Sequence, residues 1–264
     1  MVNKLVMTDT FSHLQPSVTD AKLYLKYKMD NGAEPSFSTP HTVIFLYQKS
    51  FLSQVLQSYE CTQCDGYFKQ LYFLDQHPGV AIVYFGPGAA YNAAKLEALF
   101  AWGVQRCISM GTAGALQKHL QVGDLILCDR AVRDEGVSQH YIAPGRYADS
   151  CPKMLETLSS AFEELKYPCH QGVSRTLDTF YRQTASDILQ LQKEGVLSVE
   201  MEAAALFAVG EHLGMSVGAM FTISDSLADL SWDPYFDHSG TEEGLCKLFE
   251  VALFAANSAC TLIV

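Results

Sequence analysis

The chain has 264 residues, 48% of them hydrophobic and 18% charged, with a formal net charge of −11. That composition supports one large α/β core and excludes global disorder. The acidic balance argues against a nucleic-acid groove, which needs clustered Lys and Arg, and no apolar run reaches membrane-spanning length.

The N-terminus lacks a basic stretch followed by an apolar signal core, so a cytoplasmic location is expected. Residues 1–40 are mixed and close on the breaker-rich NGAEPSFSTP, which suggests an arm ahead of a single domain at 41–264. HTVIFLY predicts a strand and SFLSQVLQSY a helix. VAIVYF, bounded by Gly79 and Gly86-Pro87-Gly88, predicts a second strand, and AAYNAAKLEALFAWG a helix ending at Gly103.

CISM is the next strand and runs into a turn at GTAG. VGDLILCD, GVSRTLDTF, GVLSVE and SVGAMFTISD are further strands. Between and after them come helices at Pro152–Leu165, Thr184–Glu194, MEAAALFAVGEHLG and Thr241–Ala256. This alternation predicts an α/β fold: a single domain with a mixed, mostly parallel central sheet flanked by helices. Such sheets bind ligands beyond the carboxyl ends of their strands, where GPG, GTAG, DTFY, VEME and SD all fall.

Most of the eight cysteines sit in apolar runs, among them Cys107, Cys128 and Cys246, where a thiol packs as a small hydrophobe. Cys61 and Cys64 form a lone C-x-x-C without a second pair at zinc spacing, so no metal is expected.

SVEMEAAALFAVGEHLG carries two carboxylates, Glu200 and Glu202, flanking Met201 where a strand hands over to a helix. Acids in a first helical turn have an ordinary explanation in capping and the macrodipole. Their combination with a following strand that ends in Ser224-Asp225 is less ordinary.

With GPG at 86–88, SMGTAGAL at 109–116, VGDLILCD at 122–129, RDEGVSQHY at 133–141, DTFY at 178–181, VEMEAA at 199–204 and TISD at 222–225, the chain resembles the nucleoside phosphorylase family. That family holds purine nucleoside phosphorylases, uridine phosphorylases and methylthioadenosine/adenosylhomocysteine nucleosidases, and the hexameric purine type is the nearest in spacing. The resemblance implies that Glu202 takes the ribose 2′- and 3′-hydroxyls, with Met201 against the sugar and Glu200 beside it. It also implies that Phe180, with Tyr181, packs on the base. Asp225, oriented by Ser224, meets the purine N7, where a proton stabilises the departing base. Gly111, Thr112 and Gly88 fall where backbone and hydroxyl groups meet phosphate or ribose, and His238 where a basic residue supports the aspartate. No cofactor is implied. Inorganic phosphate is the expected co-substrate, and a homodimer or larger homo-oligomer the expected assembly.

The chain departs from the family at its phosphate grip. The G-D-P-x-R turn is replaced by Tyr47-Gln48-Lys49-Ser50-Phe51-Leu52, the arginine before GTAG by Ser109, and a third arginine falls near Phe68-Lys69. Losing bidentate guanidinium contacts weakens phosphate binding. The resemblance still makes phosphorolysis of a purine nucleoside the leading expectation. Hydrolysis by water and non-catalytic nucleoside binding are the alternatives.

Overall fold

The structure is a computed structural model and describes residues 12–258. In chain order its first half contains α1 (Ala21–Lys28), β1 (Thr42–Leu46), α2 (Lys49–Ser58), β2 (Cys61–Gln63), β3 (Leu71–Leu74), β4 (Val80–Tyr84), α3 (Ala89–Trp102), β5 (Arg106–Ala115) and β6 (Leu125–Asp134). There follow β7 (Tyr147–Asp149), α4 (Pro152–Glu164), β8 (His170–Leu177), α5 (Ala185–Lys193), β9 (Ser198–Glu200), α6 (Ala203–Leu213), β10 (Ser216–Ser226), β11 (Asp233–Pro234) and α7 (Ser239–Ser258).

β1 lies parallel between β4 and β5, and all its residues are buried. Val43 and Phe45 point into a core shared with α3 and α6, while Ile44 and Leu46 point into one shared with α2, α4 and α7. A strand covered on both faces must be apolar throughout, which is why TVIFL shows no alternation.

Beyond β5 the sheet curls on itself. β5 runs parallel to β10, β10 antiparallel to β6, β6 parallel to β8, β8 parallel to β9, and β9 returns antiparallel to β5. These five strands close a small barrel, so their backbone groups pair around the ring without an open edge.

One expectation is corrected here. GTAG at 111–114 is not a turn but the second half of β5, paired with β10 as far as Ala115 opposite Ser226. Its small residues suggested a turn, whereas a long-range partner strand holds it extended.

The helix ends follow local rules. α3 and α6 stop at the left-handed Gly103 and Gly214, α5 opens with a Thr184–Asp187 capping box, and Pro152 opens α4. In the N-terminal segment Asp20 caps α1, and α1 lays Leu25 into the core shared with α3. Residues 1–11 of the expected arm lie outside the described residues.

Candidate active site

A cavity of about 350 Å³ opens where the second half of β5 and the end of β10 meet the ends of β8 and β9. That volume is within the range of small-molecule sites, roughly 300–1,000 Å³. Gly111, Thr112, Phe180, Tyr181, Glu200, Met201, Glu202, Ser224 and Asp225 all line it.

The two glutamates have different surroundings. Glu200 Oε2 accepts the N–H groups of Glu202 (2.7 Å) and Ala203 (2.8 Å), and Oε1 accepts the Thr176 hydroxyl. Thr176 Oγ1 in turn accepts the Ala204 N–H at 2.8 Å. Glu200 thus caps α6, and it answers backbone donors that would otherwise be orphaned. Glu202 accepts the Gly88 N–H at Oε1. Gly88 holds φ at +122°, a conformation closed to side-chain-bearing residues, and this aims its N–H at the carboxylate.

Both carboxylates are buried. Desolvation, followed by the charge of Glu200, pushes Glu202 up to about 8. Desolvation also raises Glu200, to about 7, against the pull of Thr176 and the two backbone N–H groups. With three donors and the positive end of α6 favouring its anion, Glu200 ionises before Glu202.

At the β10 end of the cavity, Ser224 forms a bulge. Ile223 pairs with Ala113 and Asp225 with Gly114, so Ser224 is the extra residue. Bulges re-aim side chains beside functional sites. Here Asp225 is only 6% exposed, with Oδ1 accepting the Ser224 hydroxyl (2.8 Å) and Oδ2 the Trp232 indole N–H (3.0 Å). Burial raises its pKa, opposed by those two hydrogen bonds. Phe180 stands beside it at the mouth, its ring centroid 4.9 Å from Tyr181 and 5.9 Å from Trp232, both edge-on.

The corner that lost its arginines is filled by neutral groups. The Tyr47 and Ser109 hydroxyls bond at 2.8 Å, and Gln48 Nε2 donates to Thr112 Oγ1 at 3.0 Å. Among the described residues no Lys or Arg lines the cavity. Four cations near these segments in the sequence lie outside the cavity wall. Arg133 bonds Ser138 and the Ala143 carbonyl, Arg175 pairs with Asp134, and Lys49 and Lys69 are exposed.

His238 is a correction. It is not part of the cavity wall; its Nδ1 accepts the Gly240 N–H at 3.0 Å, beside the start of α7. The segment after Ser226 folds back through β11, and this brings Trp232 to Asp225 in place of the histidine. Gly88 also stands behind the wall, which Pro87 forms, and acts through Glu202. Sequence reasoning missed Tyr47, Gln48, Gln183, Trp232 and Phe236 as lining residues. The available signal was the aromatic run SWDPYF so soon after TISD.

Known proteins of similar sequence and fold identify the family. The sequence profile described as the Phosphorylase superfamily matches residues 64–252. The chain belongs to that superfamily. It is 31% identical over 142 residues to a guanosine phosphorylase from Halorubrum lacusprofundi, an alignment spanning 54% of this chain and 59% of that protein. Against a purine nucleoside phosphorylase from Plasmodium vivax it is 30% identical over 172 residues, 64% of this chain and 69% of the other. The crystal structure of uridine phosphorylase from Vibrio fischeri ES114 superposes with a TM-score of 0.71 at 25% identity, covering 84% of this chain and 93% of that one. These superfamily relatives include enzymes named for purine and for pyrimidine nucleosides.

Proposed function

We propose that this chain cleaves the N-glycosidic bond of a purine nucleoside and transfers the pentosyl group to inorganic phosphate. The observation that carries this reading is a single cavity lined by Glu202, Asp225 and Phe180 together. Once it has lost its proton, Glu202 accepts the two ribose hydroxyls and offsets positive charge growing on the sugar. Phe180 packs on the base. As the C1′–N bond breaks, its electron pair enters the base, and Asp225 delivers its proton to N7, so the base leaves neutral. A phosphate oxygen bonds C1′, giving a pentose 1-phosphate.

One observation favours a second reading, with water as nucleophile. The anion corner is neutral, and the buried Gln48 Oε1 has no hydrogen-bond partner among the described residues. An unpaired acceptor suits a hydroxyl donor better than a dianion. Incubation with inosine, adenosine, guanosine and uridine, with and without phosphate, separates the two. Purine base and pentose 1-phosphate, formed only with phosphate, is the expected result. Free pentose regardless of phosphate supports hydrolysis, and no cleavage of any nucleoside overturns both. No helix among the described residues is long and apolar enough to cross a membrane. We place the enzyme in the cytoplasm, where a reducing environment suits its seven free thiols among those residues, and expect it to assemble at least as a homodimer.

A further inference from the structure

The hairpin after β10 returns a tryptophan onto the group that faces the base. β11 pairs antiparallel with the end of β10, Pro234 opposite Asp225, and the Tyr235 N–H donates to the Ser224 carbonyl at 2.8 Å. This pairing fixes the backbone beside Trp232. The indole N–H reaches Asp225 Oδ2 at 3.0 Å, while the ring is 5.9 Å from Phe180 and 6.5 Å from Phe236, centroid to centroid. Trp232 is 46% exposed. A large indole left this open at a cavity wall has apolar area to cover.

We propose that Trp232 is the positioning residue of the base subsite, holding Asp225 through its indole N–H and, with Phe180, forming an aromatic wall that selects a flat bicyclic base. This rests on the reading of the cavity as a nucleoside site. The indole is a neutral donor. It orients the carboxyl oxygen without placing a positive charge beside it, so the proton that the base needs stays on Asp225 over a wider pH range than beside a cation. The indole N–H still stabilises the anion, as any donor does, and removing it raises the pKa of Asp225 further. A purine presents two fused rings to the wall and a pyrimidine one. The selection therefore comes from the apolar area that stacking covers.

Two variants separate the two roles. Trp232→Phe keeps a ring and removes the N–H; Trp232→Ala removes both. At an exposed position neither threatens the core. In the free protein, the Trp232 indole N–H resonance is expected to move with pH as Asp225 titrates, while that of Trp102, stacked on Phe68, stays fixed. In turnover, Trp232→Phe is expected to move the alkaline limb of the kcat profile to higher pH with little change in purine KM. Trp232→Ala is expected to raise purine KM about tenfold or more and uridine KM less. An indole resonance indifferent to pH, or a Trp232→Phe profile and a Trp232→Ala purine-to-uridine ratio equal to the native ones, overturns the proposal. If the native protein neither binds nor cleaves nucleosides, the nucleoside reading falls and the selection role with it. The N–H contact is still decided by the resonance.

Discussion

Replacing Glu202 by glutamine keeps the shape of the side chain and removes its charge. Hydrogen bonds from the two ribose hydroxyls to a carboxylate contribute about 1.5–3 kcal/mol each. The amide keeps one acceptor oxygen, at neutral strength, so the net loss in the transition state is about 2–4 kcal/mol. Above pH 8, where the native side chain is ionised, that corresponds to a fall in kcat/KM of roughly 30- to 1,000-fold. The same substitution has an opposite effect on stability. Burial and Glu200 lift Glu202 to about 8 in the folded chain, against about 4.3 when unfolded. Between those values the folded state binds the extra proton, so this residue's contribution is complete at low pH and is lost as pH rises towards 8. Glutamine removes that dependence. The variant is expected to gain on the native protein between pH 6 and pH 9 by on the order of 1 kcal/mol or more, or about 2–4 °C in Tm. Native kcat/KM is expected to rise with pH towards 8, and the limb is expected to vanish in the variant. Thermal melts across pH and initial rates on a purine nucleoside test both halves. Native-like kcat/KM, or a melt lowered equally at every pH, refutes the reasoning.

Asp225→Asn is expected to slow purine cleavage by about 10²–10⁴-fold, the usual range for a lost proton donor, and to slow far less a pentoside whose leaving group departs without protonation. Equal losses in a rate comparison of the two substrates make Asp225 structural. Glu200→Ala removes the cap of α6 and leaves two backbone N–H groups and Thr176 unanswered. A destabilisation on the order of 2–4 kcal/mol in urea melts is expected, against little change for Glu200→Gln. Gly114→Ala places a methyl 2.9 Å from Asp225 Oδ2 and 2.8 Å from Leu227, so kcat is expected to fall about tenfold or more with a smaller change in KM. An unchanged kcat shows that Asp225 moves aside freely.

The sequence alone made the layered core legible, because β1, α3, α4 and α6 carry their signals locally as apolar runs, a proline start and glycine stops. The cluster of Glu202, Asp225 and Phe180 was legible through motif order, and the structure brings all three to one cavity. Features set by distant pairing were not legible. GTAG reads as a turn until β10 is laid beside it, and the bulge at Ser224 exists only in that pairing. His238 and Trp232 exchange places because an eleven-residue stretch between Ser226 and His238 folds back as a hairpin, and no local pattern says which of its side chains returns to Asp225. The distinct duties of Glu200 and Glu202 were likewise hidden. Both are acids at a helix start, and only the hydrogen bonds assign one to the backbone and leave the other to the cavity.

A crystal structure with a purine nucleoside bound offers the most direct trial. Both ribose hydroxyls should lie within hydrogen-bonding distance of Glu202, with the five-membered ring of the base turned to Asp225 and its face on Phe180. A nucleoside seated with its sugar at Asp225, or bound away from this cavity altogether, contradicts the account.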